Sequence, residues 1–220
     1  MNFAFYISGK SNRLFHYLTH FYKQRELNIK LVVSDNILDK RLESILNQFG
    51  ISTKIYEYKK LLGKTYKEKN EVLSDRILQE LEEFQIDYCL SFGSHLLSGL
   101  LLDKYKNRLI NFHPAILPMY PGKNAIDQAV CAGNTFLVGN TVHFIDEGVD
   151  TGKIIMQSVI PLESFYSNNN DYDAILNLQI EMLDKLLLIL EKDRIVIKDG
   201  RVKIIGADYN RSNLYPAITF

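Results

Sequence analysis

At 220 residues, with 46% hydrophobic and 24% charged residues, the chain is long enough to bury one large core and too mixed in composition to be disordered. Lys plus Arg balances Asp plus Glu at 26 each, which removes the electrostatic case for a nucleic-acid partner, and no apolar run reaches membrane-spanning length. Cys89 and Cys131 are far apart without metal-ligand spacing, so both read as buried free thiols of a cytoplasmic protein.

Residues 2–7 (Asn-Phe-Ala-Phe-Tyr-Ile) form a compact apolar strand, entered without the basic start and cleavage site of a signal peptide. Ser8, Gly9, Lys10, Ser11 and Asn12 follow as a small-residue turn, and an amphipathic helix runs from Arg13 to about Gln24. Strand, turn and helix N-terminus together can hold an anion on backbone N–H groups, while Gly9 and Ser11 serve equally as turn and N-cap residues. Residues 30–34 are the next strand, 38–49 a helix closed by Gly50, and 52–56 a third strand. Residues 58–68 read as a polar, basic loop, 69–84 as a helix and 86–92 as a buried strand. Ser94, His95, Leu96 and Leu97 lie at that strand's end, with a short helix over 96–102. The alternation predicts an α/β fold, a Rossmann-like and mostly parallel sheet with helices on both faces and ligands beyond the strand carboxyl ends.

The main chemical signal lies in residues 109–122, Leu-Ile-Asn-Phe-His-Pro-Ala-Ile-Leu-Pro-Met-Tyr-Pro-Gly. Asn111 and His113 are two apart, so on a strand they face the same side. Pro114, Pro118 and Pro121 stop ladder pairing and stiffen the backbone that follows. A bare strand cap with a satisfied histidine explains an isolated Asn-x-His, but a second stretch downstream adds carboxylates. Residues 138–145 and 153–159 read as strands around a glycine-flanked loop holding Asp146, Glu147 and Asp150, after a helix over 124–132. His143 alternates with Val142 and Phe144 and reads as structural, and His16 and His20 as one helix face. The remaining chain reads as a polar loop over 164–173, a long amphipathic helix over 172–190, and a hairpin over 194–205 turning at Asp199-Gly200. Residues 206–220 are irregular.

Asn111, His113, Pro114, Leu117, Pro118, Pro121 and Gly122, then His143, Asp150 and Gly152, resemble the folate-dependent formyltransferases built on the glycinamide ribonucleotide transformylase fold. The resemblance extends over roughly residues 1–200. It implies one formyltransferase domain over 1–220, with an acceptor-binding half over about 1–100, a catalytic and folate half over 101–205 and an irregular tail over 206–220. Asn111, His113 and Asp150 would be the catalytic set, acting on 10-formyltetrahydrofolate without a metal. Formyl transfer to an amine builds charge on the formyl oxygen, which an Asn amide and an imidazole can stabilise, and a carboxylate can take the amine's proton. Gly148 and Gly152 would let the backbone turn Asp150 toward the site. The folate's pterin would lie between Ser94, His95, Leu96 and Leu97 on one side and Glu147, Gly148 and Val149 on the other. His95 stands where the purine enzyme has an Arg.

The family's phosphate loop matches Gly9, Lys10, Ser11 and Asn12, one residue and one glycine short, and Glu181, with Gln179 nearby, falls where the long helix meets the acceptor. The implied acceptor is glycinamide ribonucleotide. An amino sugar linked to a nucleotide is the alternative, followed by hydrolysis of the formyl-folate and by a non-catalytic binding module. The partners are then a small amine and a folate, with no nucleic acid or membrane, for a cytoplasmic monomer or homodimer.

Overall fold

A computed structural model of the chain describes residues 1–133, 135–163 and 172–210. Seven strands are hydrogen-bonded in the order β3-β2-β1-β4-β5-β6-β7, and a two-stranded β8–β9 sheet follows. The strands are β1 (Asn2–Ile7), β2 (Asn28–Ser34), β3 (Ser52–Ile55), β4 (Tyr88–Phe92), β5 (Leu109–His113), β6 (Leu137–Phe144), β7 (Ile154–Pro161), β8 (Ile195–Lys198) and β9 (Arg201–Ile204). The helices are α1 (Asn12–His20), α2 (Lys40–Gln48), α3 (Tyr66–Glu83), α4 (Leu100–Lys104), α5 (Ala125–Ala132) and α6 (Tyr172–Glu191). The chain divides into two compact units. The first holds Met1–Phe112 and Phe144–Gly152, the second His113–His143 and the described residues from Lys153 onward.

In the first unit β1 pairs in parallel with β2 and β4, β2 with β3, and β4 with β5. Phe3, Ala4, Phe5, Tyr6 and Ile7 are all fully buried, because a central parallel strand is covered on both faces. Ala4, Tyr6, Leu31 and Val33 share one core cluster with Leu73, Ile77, Leu81 and Leu101, which places α3 and α4 on a common face. This packing sets the loops at the carboxyl ends of β1, β2 and β4. In the second unit β6 and β7 are antiparallel, and Ala129, Val138, Leu162 and Ile175 form a smaller cluster. The β8–β9 hairpin turns at Asp199 (φ 50°) and Gly200 (φ 73°), both left-handed, as a two-residue Asp-Gly turn demands.

The parallel α/β sheet and the hairpin are as the sequence predicts, and element ends differ for identifiable reasons. Residues 66–68 begin α3 instead of ending a loop, because the Thr65 hydroxyl accepts from Glu68 N (3.2 Å) as an N-cap. The helix expected over 96–102 begins only at Leu100, after Gly99 at φ 66°, so residues 94–98 remain a loop. Cys131, expected to be buried, is exposed on α5, whereas Cys89 is buried on β4. Of the loop expected over 164–173, residues 164–171 lie outside the described residues, as do 211–220 of the tail expected over 206–220.

Candidate active site

Asn111 lies on β5, and its Nδ2 donates to Asp150 Oδ1 at 3.4 Å, a long and therefore weak bond that a ligand can replace. Asp150 is half-buried with φ 55°. The left-handed residue of this loop is thus the carboxylate itself, not either flanking glycine, and Asp tolerates that region better than most residues. Gly148 matters for another reason. A Cβ there would stand 2.0 Å from Thr151 Oγ1. That hydroxyl donates to Asp146 Oδ1 (2.7 Å), which also accepts from Gly148 N (3.1 Å), so Asp146 braces the turn carrying Asp150. Glu147, Gly148 and Val149 are exposed.

His113 closes the same strand and is 4% exposed. Its Nε2 is 2.8 Å from the carbonyl of Tyr120. A carbonyl only accepts, so Nε2 carries the hydrogen of this contact. Tyr120 has φ 54°, a backbone state an aromatic residue rarely adopts, and it directs the carbonyl at the ring. The loop between them is fastened to β6 and β7. Thr141 Oγ1 donates to Ala115 O (2.7 Å) and accepts from Leu117 N (3.0 Å), and Gln157 Nε2 donates to Leu117 O (3.0 Å). The Leu117–Pro118 peptide is cis. Stiff backbone after the histidine is what the three prolines predict.

The loops at the strand ends carry the other expected residues. Ser11 caps α1 by accepting from Leu14 N, Gly9 N donates to Ser34 Oγ (3.1 Å), and Lys10 and Asn12 are exposed. Ser94 N donates to Ser8 Oγ (2.7 Å). Leu96 is exposed, whereas the Leu97 side chain packs into the core. His95 Nδ1 meets Asp35 Oδ2 at 2.9 Å, and its ring lies on Tyr58 with centroids 3.5 Å apart. On α6, Glu181 is exposed and Gln179 is buried, donating to Asn140 Oδ1 (2.7 Å). His143 is buried on β6. Among the described residues no cluster of His, Cys, Asp and Glu could hold a metal, and no helix is long and apolar enough to cross a membrane.

A sequence profile of the family described as "Formyl transferase" matches residues 1–187. The chain belongs to the formyl transferase family. It is 31% identical over 163 residues to a phosphoribosylglycinamide formyltransferase of Bacillus subtilis (strain 168), covering 73% of this chain and 80% of that protein. Over 137 residues, 61% of this chain, it is 36% identical to the trifunctional purine biosynthetic protein adenosine-3 of Homo sapiens, of which it spans 13%. The chain therefore spans only a small part of the trifunctional relatives it matches. The crystal structure of glycinamide ribonucleotide transformylase 1 from Symbiobacterium toebii superposes with a TM-score of 0.80 at 26% identity, covering 93% of each chain.

Three residues of this formyl transferase escaped the reading of its sequence. Arg13 Nη1 donates to Phe112 O (3.3 Å), the carbonyl between Asn111 and His113 in sequence, and its guanidinium lies 4.5 Å from the Phe92 ring centroid. Burial lowers its pKa to about 10. An arginine on the helix face that also carries the buried Leu14, Tyr17 and Leu18 was the available signal. Asp35 and Tyr58 gave none, since an Asp after a strand and a Tyr in a basic loop are ordinary surface residues.

Proposed function

We propose that this formyl transferase moves the formyl group of 10-formyltetrahydrofolate onto the primary amine of glycinamide ribonucleotide. The contact of Asn111 Nδ2 with Asp150 Oδ1 carries the reading, because it joins the two separate motifs in one site within a family that transfers formyl groups. The folate supplies an activated formyl carbon. Leu96 and Val149, 55% and 47% exposed, offer apolar surface for a pterin on the two loops expected to hold it, so the residues present fit that group. Ser94, Leu97, Glu147 and Gly148 add backbone polar groups there.

In this reading Asn111 donates from Nδ2 to the oxygen on which charge develops as the amine adds, a contribution of about 3 kcal/mol. His113, its Nε2–H held by Tyr120, donates or accepts a proton at Nδ1. Asp150 takes the amine's proton, directly or through water, and Asn111 holds its carboxylate ready. Lys10 and Asn12, exposed at the start of α1, contact the acceptor's phosphate together with the backbone of Gly9 and Ser11, and Glu181 contacts its polar body. The acceptor half covers about residues 1–100 and the catalytic and folate half about 101–205, in a cytoplasmic monomer or homodimer.

By their descriptions the Homo sapiens relative is a purine biosynthetic protein, the Bacillus subtilis relative a phosphoribosylglycinamide formyltransferase and the Symbiobacterium toebii structure a glycinamide ribonucleotide transformylase, and none of these names an amino-sugar acceptor. Mass spectrometry of glycinamide ribonucleotide, a nucleotide-linked amino sugar and a no-acceptor control, each incubated with enzyme and formyl-folate, tests the assignment. A gain of one formyl group on glycinamide ribonucleotide is expected. Formylation of the sugar alone, or formate release without an acceptor, overturns it.

A further inference from the structure

The carboxyl ends of β1, β2 and β4 in the first unit meet at one buried oxygen. Asp35, directly after β2, is 4% exposed. Its Oδ2 accepts from Tyr6 Oη (2.6 Å) and Ser8 Oγ (2.8 Å) and meets His95 Nδ1 (2.9 Å). Ser8 Oγ accepts in turn from Ser94 N (2.7 Å). The outer face of the cluster is closed by Tyr58, whose ring lies on His95 and whose hydroxyl donates to Asn70 Oδ1 (2.8 Å) on α3. Gly93 makes room for this, because a Cβ there would stand 2.0 Å from the Tyr6 ring. Burial and the Asp35 charge both raise the Tyr6 hydroxyl's pKa above its ordinary value, so it stays a donor.

Three bonds to one carboxylate oxygen exceed what a strand end needs for capping. A buried carboxylate is costly unless its partners are geometrically fixed, so the cluster is stable only with the β1, β2 and β4 loops in one arrangement. We infer that His95 is a positioning residue. Clamped between Asp35 and Tyr58, it fixes the loop of residues 93–97 to the loop that begins at Ser8, and so sets the folate-side and acceptor-side loops of this enzyme in register. The inference rests on the proposed reading that these two loops take donor and acceptor. It assigns the imidazole no contact with either.

The test compares steady-state formyl transfer by wild type, His95→Leu, His95→Asn and Ser8→Ala, varying 10-formyltetrahydrofolate and glycinamide ribonucleotide separately. His95 is partly exposed at the surface of the cluster, so His95→Leu is the least disruptive way to remove the Asp35 bond. His95→Leu and Ser8→Ala should each raise the KM of both substrates about tenfold, the cost of one charge-assisted bond, with a smaller fall in kcat. The Nδ2 of His95→Asn can stand where Nδ1 does, and this variant should return both KM values to within about threefold of wild type. A rise in the folate KM alone, not rescued by asparagine, would mean that the ring touches folate directly and would overturn the inference. A loss confined to kcat, or no change, would overturn it as well.

If wild type fails to formylate glycinamide ribonucleotide, the proposed function fails, and hydrogen exchange at the Ser94 amide decides this point by itself. Faster exchange in His95→Leu, restored in His95→Asn, supports the clamp. Equal exchange in all variants rejects it.

Discussion

Two histidines, one in each compact unit, are held by opposite kinds of partner. His95 meets the carboxylate of Asp35, which Tyr6 and Ser8 already share, and its ring is covered by Tyr58. His113 meets a neutral carbonyl, that of Tyr120, from a backbone bent into the left-handed region. A shared carboxylate makes the first ring one part of a rigid cluster. A carbonyl accepts only, so it fixes Nε2 as the nitrogen of the second ring that bears hydrogen in this contact. The roles proposed for the two histidines, one holding loops and one moving protons, thus differ in the partner rather than in burial, since both side chains are largely covered.

The contrast is broken most easily at His113. Replacing it with Ala should lower kcat by roughly a thousandfold, as for loss of a general acid–base group, with folate affinity largely kept. His95→Leu should act mainly on KM. Equal kcat losses at the two positions, measured in single turnovers, would erase the distinction.

Asn111→Ala should follow with a loss of about a hundredfold or more, the cost of one oxyanion donor. Asp150→Asn removes the carboxylate proposed to take the proton, so combining it with His113→Ala should cost far less than the product of the two single losses. Fully multiplicative single-turnover rates would mean that Asp150 and His113 do not serve one step.

Thr141→Val tests the support of the His113 loop without touching the ring. It strands Leu117 N and Ala115 O, and should cost about 1–3 kcal/mol in urea unfolding, with a smaller effect on kcat than His113→Ala. An unchanged unfolding midpoint would mean the prolines and the Gln157 bond to Leu117 O hold the loop without Thr141.

The smallest effect concerns the thiols. Burial pushes the Cys89 thiol up to about 12 from an ordinary 9.0, whereas Cys131 is exposed. A disulfide reagent at pH 8 should therefore modify one thiol in the native protein and two after unfolding. The sign of the linkage follows. A folded pKa above the unfolded one gives stability that is complete below pH about 9 and is lost as pH rises through about 12. Urea melts should show that loss in wild type and less of it in Cys89→Ala. His95→Leu should leave Cys89 unreactive; reactivity there would show that the strand core, and not the loop alone, depends on the histidine.

Much of this was legible in residue order because it is local. Alternating apolar runs specify a covered parallel sheet, Asp199-Gly200 specifies a tight turn, and two residues on a strand share a side whatever surrounds them. Asn111 and His113 could be named for that reason, and the family resemblance brought in Asp150. The start of α3 was legible as well, in the cap formed by Thr65 and Glu68, but the basic character of residues 58–68 masked it.

What tertiary structure decided is everything that depends on partners far along the chain. Arg13 reaches the Phe112 carbonyl, Asp35 gathers Tyr6, Ser8 and His95, and Thr141 holds the loop that follows His113. A sequence states that His95 follows a strand end and a serine. It cannot state that a carboxylate sixty residues earlier will claim the ring, because hydrogen bonds are set by distances of a few ångströms that only the packed sheet brings about.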